Sequence, residues 1–371
     1  MSSKVQISPV QVLAVIACLP YGKSIGYTNG ILADLVANDA WMAMSLAFAV
    51  GLAGMAGVVW LVRRFQGRTA TEAIPKLLGR PLGAVAMLAL AVFFLGSFAT
   101  SAITIEQHIN DYLLTETPFM VFVLGYTVLI IYGCYLGIEV AARLGLIGVL
   151  SAAAINISMV AGSLDKLQLE RILPLMDHSP PQLLAASLVA STDVAIPLAG
   201  ALILLPLTIK PATWMRSCLW GLACGAALVL TWTLFETGVL GPEITSQYLI
   251  ACMQMARAAE LSIYLHRYEL IMVVFFVYAV ITQSVVCLYC ATELTAAALP
   301  FRMRRGWLIV GLGLLAMTFQ YFVAFDREEY RTFLTVPWPL VVVVTGIGVP
   351  LAIGLVALFR PPATARARPG A

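Results

Sequence analysis

Eight runs of at least 19 residues contain no Asp, Glu, Lys or Arg: 40–62, 81–105, 117–138, 144–164, 217–235, 270–292, 306–325 and 332–359. A helix needs about 20 largely apolar residues to cross the hydrocarbon of a bilayer, so each run has the length of one transmembrane helix. Two more apolar stretches reach that length with a single charge inside, Lys23 within 9–35 and Asp193 within 182–209. Ten spans follow, and an even number returns both termini to one side. Composition agrees: 61% of the residues are hydrophobic and 11% charged, against about 25% charged in ordinary soluble domains. The reading is an all-α integral membrane protein, one transporter-like membrane domain over 1–360 with a disordered cytoplasmic tail over 361–371. A net charge of +3 excludes a strongly basic nucleic-acid binder, and the lipid bilayer is the first partner.

The two interrupted spans are the first and the sixth, equivalent members of two sets of five. Each also carries a helix breaker, in Pro20-Tyr21-Gly22-Lys23-Ser24-Ile25-Gly26 and in Ser191-Thr192-Asp193-Val194-Ala195-Ile196-Pro197. Proline has no N–H, so Pro20 frees the carbonyl of Ile16 and Pro197 that of Asp193. Freed backbone at membrane depth is tolerated only where protein or a water-filled cavity receives it. Matching interruptions in the two halves point to a five-plus-five inverted repeat with broken first and sixth helices and a site at the midplane.

Loop charges orient the chain. Of the 22 Lys and Arg residues, 15 fall in segments on the side of the N-terminus and 6 on the other, with Lys23 inside a span. The positive-inside rule then puts both termini in the cytoplasm. The loop 63–80 is inner and basic; the loop 238–267 is outer, with a helical stretch near Tyr248 to Leu261.

An ionised group near the centre of a span costs about 2.5–3.5 kcal/mol on insertion scales, which makes Lys23 and Asp193 functional candidates. We expect them to face one another across the pocket between the interrupted helices, where a zwitterionic amino acid would suit both free backbone groups and charges. Tyr21, Gly22, Ser24, Gly26, Thr192 and Pro197 flank them. Thr100 shares a face of the third helix with Ser97, Ser101 and Thr104, and Thr282 and Gln283 lie inside the eighth with Tyr278 and Ser284. Asn156 and Ser158 lie inside the fifth. Gln283 and Asn156 stand out, since a buried amide without a partner is costly. Glu106, Glu236 and Asp34 fall near outer span ends, where they are expected to reach interfacial water. His108, His178 and His266 fall in loops, as solvated side chains. No H-E-x-x-H, P-loop or nucleophile-elbow pattern is present, so an enzyme is not expected, nor a cofactor. Cys287 and Cys290 form a C-x-x-C on an apolar run and read as small hydrophobes, not as metal ligands.

Several segments carry a resemblance. Asn38-Asp39-Ala40-Trp41, the loop R-F-Q-G-R-T-A-T-E-A-I-P-K-L-L-G-R-P-L-G at 64–83, Thr117-Pro118, Gly137-Ile138-Glu139-Val140 with Arg143, and Tyr264-Leu265-His266-Arg267-Tyr268-Glu269 are similar to the spore-germination permease family. These are the B subunits of nutrient germinant receptors, within the amino acid–polyamine–organocation transporter superfamily. The chain departs from the family's usual pattern at Gln66, where proline is common, at Tyr268, where leucine is common, and at Lys23. The resemblance implies a subunit of the spore inner membrane that binds a small nutrient, typically an amino acid, between Gly22–Gly26 and Thr192–Pro197. It also implies germinant-receptor A and C subunits as partners. A proton-coupled amino-acid secondary transporter is the alternative that the same residues allow.

Overall fold

The computed structural model describes residues 6–259, 268–324 and 326–360, the side chain of Lys23 excepted. His266, the stretch 264–267 and the tail 361–371 lie outside the described residues, as does the Lys23 ammonium group. Among the described residues the regular structure is all helical, apart from one isolated bridge between Ile7 and Thr208.

Helix α1 begins where the sequence supplies a capping box: Ser8 Oγ accepts from Gln11 N, and Gln11 Oε1 accepts from Ser8 N. Pro9 follows at the first helical position, where a missing N–H costs nothing. α1 runs through Pro9–Lys23, a π-helical turn Ser24–Thr28 and Asn29–Val36. Ala37, at φ 39°, then reverses the chain into α2 (Ala40–Arg64). There follow α3 (Arg80–Asn110), α4 (Phe119–Leu136), α5 (Ile138–Ser163), α6 (Pro180–Leu204) and α7 (Trp214–Leu240). The last three are α8 (Tyr268–Ala298), α9 (Arg305–Val323) and α10, which runs through Pro337–Val341, a π stretch Val342–Gly348 and Val349–Phe359. Among the described residues, nine helical stretches have the length and apolarity to cross a membrane, and the first of them, Pro9–Arg64, comprises both α1 and α2.

Packing follows the two sets of five. α2 lies along α6, and α7 lies along α1; adding five to each number, cyclically, turns one pair into the other. The same shift turns α4 against α8 into α9 against α3, while α3 with α8 and α4 with α9 map onto themselves. Glycines allow the close approaches. A Cβ on Gly221 of α7 would stand 2.6 Å from Leu13 O of α1, and one on Gly51 of α2 would stand 2.1 Å from Val194 of α6. Small residues at such seams are the means by which helices associate in lipid, where hydrophobic burial supplies little. The peripheral helices turn large apolar side chains outward, as at Val121 and Leu124 of α4 and Phe322 of α9.

Three helices run past the C-terminal ends of their charge-free runs, because a carboxylate lies within the helix instead of ending it: Glu106 in α3, Glu236 in α7 and Glu293 in α8. The sixth span differs from expectation in form. α6 is α-helical from Pro180 to Leu204, straight through Pro197. One lost hydrogen bond leaves the remaining ladder able to hold, so the interruption there is a proline site in a continuous helix, whereas in α1 it is a full π turn.

Both helical loops carry structure. The basic loop holds a helix at Ala70–Leu78, and the loop after α7 holds helices at Pro242–Gln247 and Ala251–Ala258. At the end of the bundle that carries the termini, Ile7 N donates to Leu207 O (3.0 Å) and Ile209 N to Ile7 O (3.1 Å). Gln6 N donates to Glu139 of α5 (3.1 Å). This short clip ties the entry of α1 to the exit of α6.

Candidate functional site

The π turn and Asp193 meet. Ser24 Oγ donates to Asp193 Oδ2 at 2.8 Å and Thr28 Oγ1 donates to the same oxygen at 2.7 Å, while Thr192 Oγ1 lies 3.3 Å from Oδ1. Ser24 and Thr28 open and close the π turn, so one carboxylate of α6 holds both ends of the irregular segment of α1. Hydrogen bonds to a charged acceptor contribute about 1.5–3 kcal/mol each, enough to fix a segment that a regular helix would not favour. Asp193 is 0% exposed, as is Ser24, and Thr28 is 2% exposed. The clasp is sealed from solvent.

Around it the predicted residues sort into groups. Tyr21, one turn before the clasp, accepts at its hydroxyl from Asn156 Nδ2 of α5 (2.7 Å) and Trp232 Nε1 of α7 (3.0 Å). Gly22 faces α8: a Cβ there would stand 2.4 Å from Gln283 Oε1. Gln283 is fully buried, and among the described residues neither its Oε1 nor its Nε2 has a partner. An unpaired buried amide beside an irregular backbone is costly unless something else meets it. Gly26 faces α3, where a Cβ would stand 2.5 Å from Thr104 Cγ2 and 3.5 Å from His108 Cε1. Tyr21, Gly22, Ser24, Gly26, Thr192, Asp193 and Gln283 therefore gather about the break in α1. Pro197, one turn beyond Asp193 on α6, is buried with them.

Thr100 and Thr282 contribute differently. The α3 hydroxyls bond back along their own helix: Thr100 and Ser101 to Ser97 O, Thr104 to Thr100 O. Thr282 donates to Tyr278 O and turns its methyl toward Gly145 of α5. Both are packing residues next to the site.

Three expectations are corrected. His108 is no loop residue; it sits in the last turn of α3, fully buried, with Nδ1 2.7 Å from Thr104 O and Nε2 3.3 Å from Cys252 Sγ. A carbonyl can only accept, so Nδ1 carries the proton and Nε2 accepts from the Cys252 thiol. Glu106 (2% exposed) and Glu236 (0%) do not reach interfacial water, since neighbouring helices cover both span ends. Among the described residues, Glu236 forms no hydrogen bond at either oxygen, and the Asn29 amide that faces it forms none at Nδ2. Asp34 is exposed as expected and pairs with Arg331 at 3.0 Å.

Sequence reasoning missed Thr28, Asn29 and Trp232. Thr28 was accessible as the residue four beyond Ser24, on the same helical face; nothing in the sequence marks Trp232 as the donor to Tyr21.

Above the clasp, at the end of the bundle opposite the termini, Tyr27 donates to Gln107 Oε1 and packs edge-on against Tyr330, 5.2 Å between ring centroids. Tyr330 belongs to a helix at Arg327–Thr335 whose other face borders an open cavity of 690 Å³. Two tyrosines thus close the site from that cavity.

A model of the spore germination protein family, the spore permeases, matches residues 6–351. The chain belongs to that family. In this spore permease the family-like segments act as anchors. Asp39, wholly buried, accepts from Met176 N (2.8 Å) and His178 N (2.9 Å), and Asn38 donates to Leu173 O (2.7 Å), fixing the segment that joins the two sets of five. Glu139 receives Gln6, and Arg143 lies 3.9 Å from it. Gln66 takes φ 53°, which a proline ring cannot adopt, so the turn after α2 has its own form here.

Among solved structures, the spore permease fold is similar to MhsT in complex with L-phenylalanine, with a TM-score of 0.65 at 12% identity over 96% of this chain and 99% of that one. It is also similar to a mutant manganese transporter of Eremococcus coleocola (0.62, 12%, 94% and 85%) and to a substrate-bound, outward-open Na+-coupled sialic acid symporter (0.63, 12%, 97% and 91%). At this identity the likeness establishes the fold. No curated protein sequence matches significantly. Family and fold together describe a permease-like, multi-pass membrane protein.

Proposed function

We propose that this spore permease is the membrane subunit of a nutrient germinant receptor, binding a small zwitterion, an amino acid, at the break in α1. The observation that carries the reading is the clasp: Asp193 holds both ends of the π turn, with the amide of Gln283, unpartnered among the described residues, beside Gly22. A ligand entering between α1 and α6 competes for Ser24 and Thr28, offers its carboxylate to π-turn N–H groups and its ammonium to Asp193, and gives Gln283 a partner. Binding then changes how α1 and α6 are joined, and that difference in contacts is what shifts a conformational equilibrium. Lys23 lies at the end of the first α-helical part, and we propose that its ammonium belongs to the same site.

The basic bias of the terminus-bearing end supports a cytoplasmic location for both termini, and family membership supports the spore inner membrane and the A and C subunits as partners. Binding of a panel of amino acids to the purified protein in nanodiscs tests the reading. Saturable binding by at least one, lost in Asp193→Asn, is expected; no binding, or equal binding by the variant, defeats it. The fold shared with transporters favours one further arm. Uptake driven by a pH gradient into proteoliposomes would make the protein a proton-coupled transporter, and binding without uptake a receptor.

A further inference from the structure

The 690 Å³ cavity opposite the termini is bordered by the end of α3, the helix Ala251–Ala258 and the helix Arg327–Thr335. Three guanidinium groups and two carboxylates line it: Arg257, Arg327 and Arg331 with Asp111 and Glu328. Most of these charges are matched. Arg327 pairs with Asp111 at 2.5 Å, and Arg331 pairs with Asp34 at 3.0 Å while donating to Ser246 O. Among the described residues, two remain without an ion-pair partner, Arg257 and Glu328.

Arg257 is nevertheless held. Its guanidinium lies over the Tyr112 ring, 4.6 Å from the centroid, and Gln254 Nε2 donates to the Tyr112 hydroxyl at 3.2 Å. A stacked guanidinium keeps its planar fork free for a carboxylate and loses little conformational freedom in binding one. Glu328 stands in the first turn of the helix Arg327–Thr335, where its backbone N–H donates to Asp326 Oδ1 at 2.8 Å. A cavity with one unmatched guanidinium and one unmatched carboxylate complements a molecule carrying both opposite charges.

We propose that this cavity is a second binding site, for the carboxylate and ammonium groups of a free amino acid, with Arg257 receiving the carboxylate and Glu328 the ammonium. Its volume leaves the side chain unconfined, so the site recognises the amino-acid backbone and tolerates many side chains. Tyr27 and Tyr330 separate it from Asp193, and it captures ligand before those rings part. The interaction is weak, because both charges remain wet, and its effect is to raise the concentration of zwitterions above the closed clasp.

Residue-resolved modification by phenylglyoxal, read by peptide mass spectrometry on the full-length protein in nanodiscs, tests this. The probes are L-alanine, which carries both charges, and L-alaninamide, which lacks the carboxylate. Burial raises the Tyr112 hydroxyl above its ordinary value, so the ring stays neutral at the mildly alkaline pH the reagent needs. Millimolar L-alanine is expected to slow modification of Arg257 at least 3-fold, L-alaninamide to leave it unchanged, and Glu328→Gln to abolish the protection. The protection is expected to persist in Asp193→Asn, which separates this site from the one at the α1 break. Equal protection by both probes, protection unaffected by Glu328→Gln, or no protection overturns the proposal.

Discussion

Asp193 shows how much one carboxylate can organise. Because Ser24 and Thr28 share one of its oxygens, losing either hydroxyl leaves the other in place, and losing both releases the π turn. Ser24→Ala and Thr28→Val are each expected to lower stability by about 1–2 kcal/mol, and the pair by more than the sum of the two, a coupling that a double-mutant cycle in chemical denaturation reads directly. Additive effects would mean that the clasp is not a unit. Glu236 presents the opposite case, an acid faced by the Asn29 amide without a formed hydrogen bond. Glu236→Gln keeps the volume and removes the possibility of an unpaired buried charge, so thermal stability is expected to hold or rise by up to about 1 kcal/mol. If Glu236 and Asn29 find one another only when the helices rearrange, the same variant weakens the ligand response; unchanged response with unchanged stability would make Glu236 a bystander. At this scale the sequence exposed Lys23 and Asp193, since a lone charge inside an apolar run is visible. It misplaced His108, Glu106 and Glu236, since near a span end a water-facing polar residue and a covered one look alike until the neighbouring helices are known.

Helices were legible by length and charge, and their junctions were not. Counting from charge to charge finds every span but stops α3, α7 and α8 early, because a buried carboxylate reads as a boundary. Proline marks where a ladder bond is missing, yet whether the helix gives way depends on what receives the freed carbonyl: Pro20 is followed by a π turn that Asp193 stabilises, whereas α6 continues through Pro197. The glycines separate the two kinds of helix surface. Gly221 meets backbone of α1, with Leu13 O 2.6 Å from an added Cβ, while Gly57 of α2 has nothing within 4 Å. Gly221→Ala is expected to destabilise by about 1–3 kcal/mol through overpacking. Gly57→Ala is expected to gain up to about 1 kcal/mol from helix propensity. Equal shifts in the melting temperatures of the two variants would show that α1 can move away from α7 at no cost.

Seen as a whole, the molecule is closed at both ends by different devices, and each has a native thiol near it. At the terminus-bearing end the clip of Ile7 with Leu207 and Ile209 joins α1 to α6. Cys18 lies on α1 between that clip and Asp193, 1% exposed. At the other end Tyr27 and Tyr330 close the site below the cavity, and Cys252, 0% exposed, lies on the short helix that forms one cavity wall. The inverted repeat predicts that opening one end need not open the other, because pathways on opposite sides are lined by different ends of α1 and α6. Ile7→Pro removes the N–H that meets Leu207 O and leaves the tyrosine closure untouched. In a background where the other five cysteines are serine, Ile7→Pro is expected to raise alkylation of Cys18 several-fold without changing Cys252. Tyr330→Ala is expected to do the reverse, since it removes the ring that covers Tyr27. If either variant exposes both thiols together, the two ends do not open independently, and the five-plus-five architecture serves here as a scaffold that loosens as one piece.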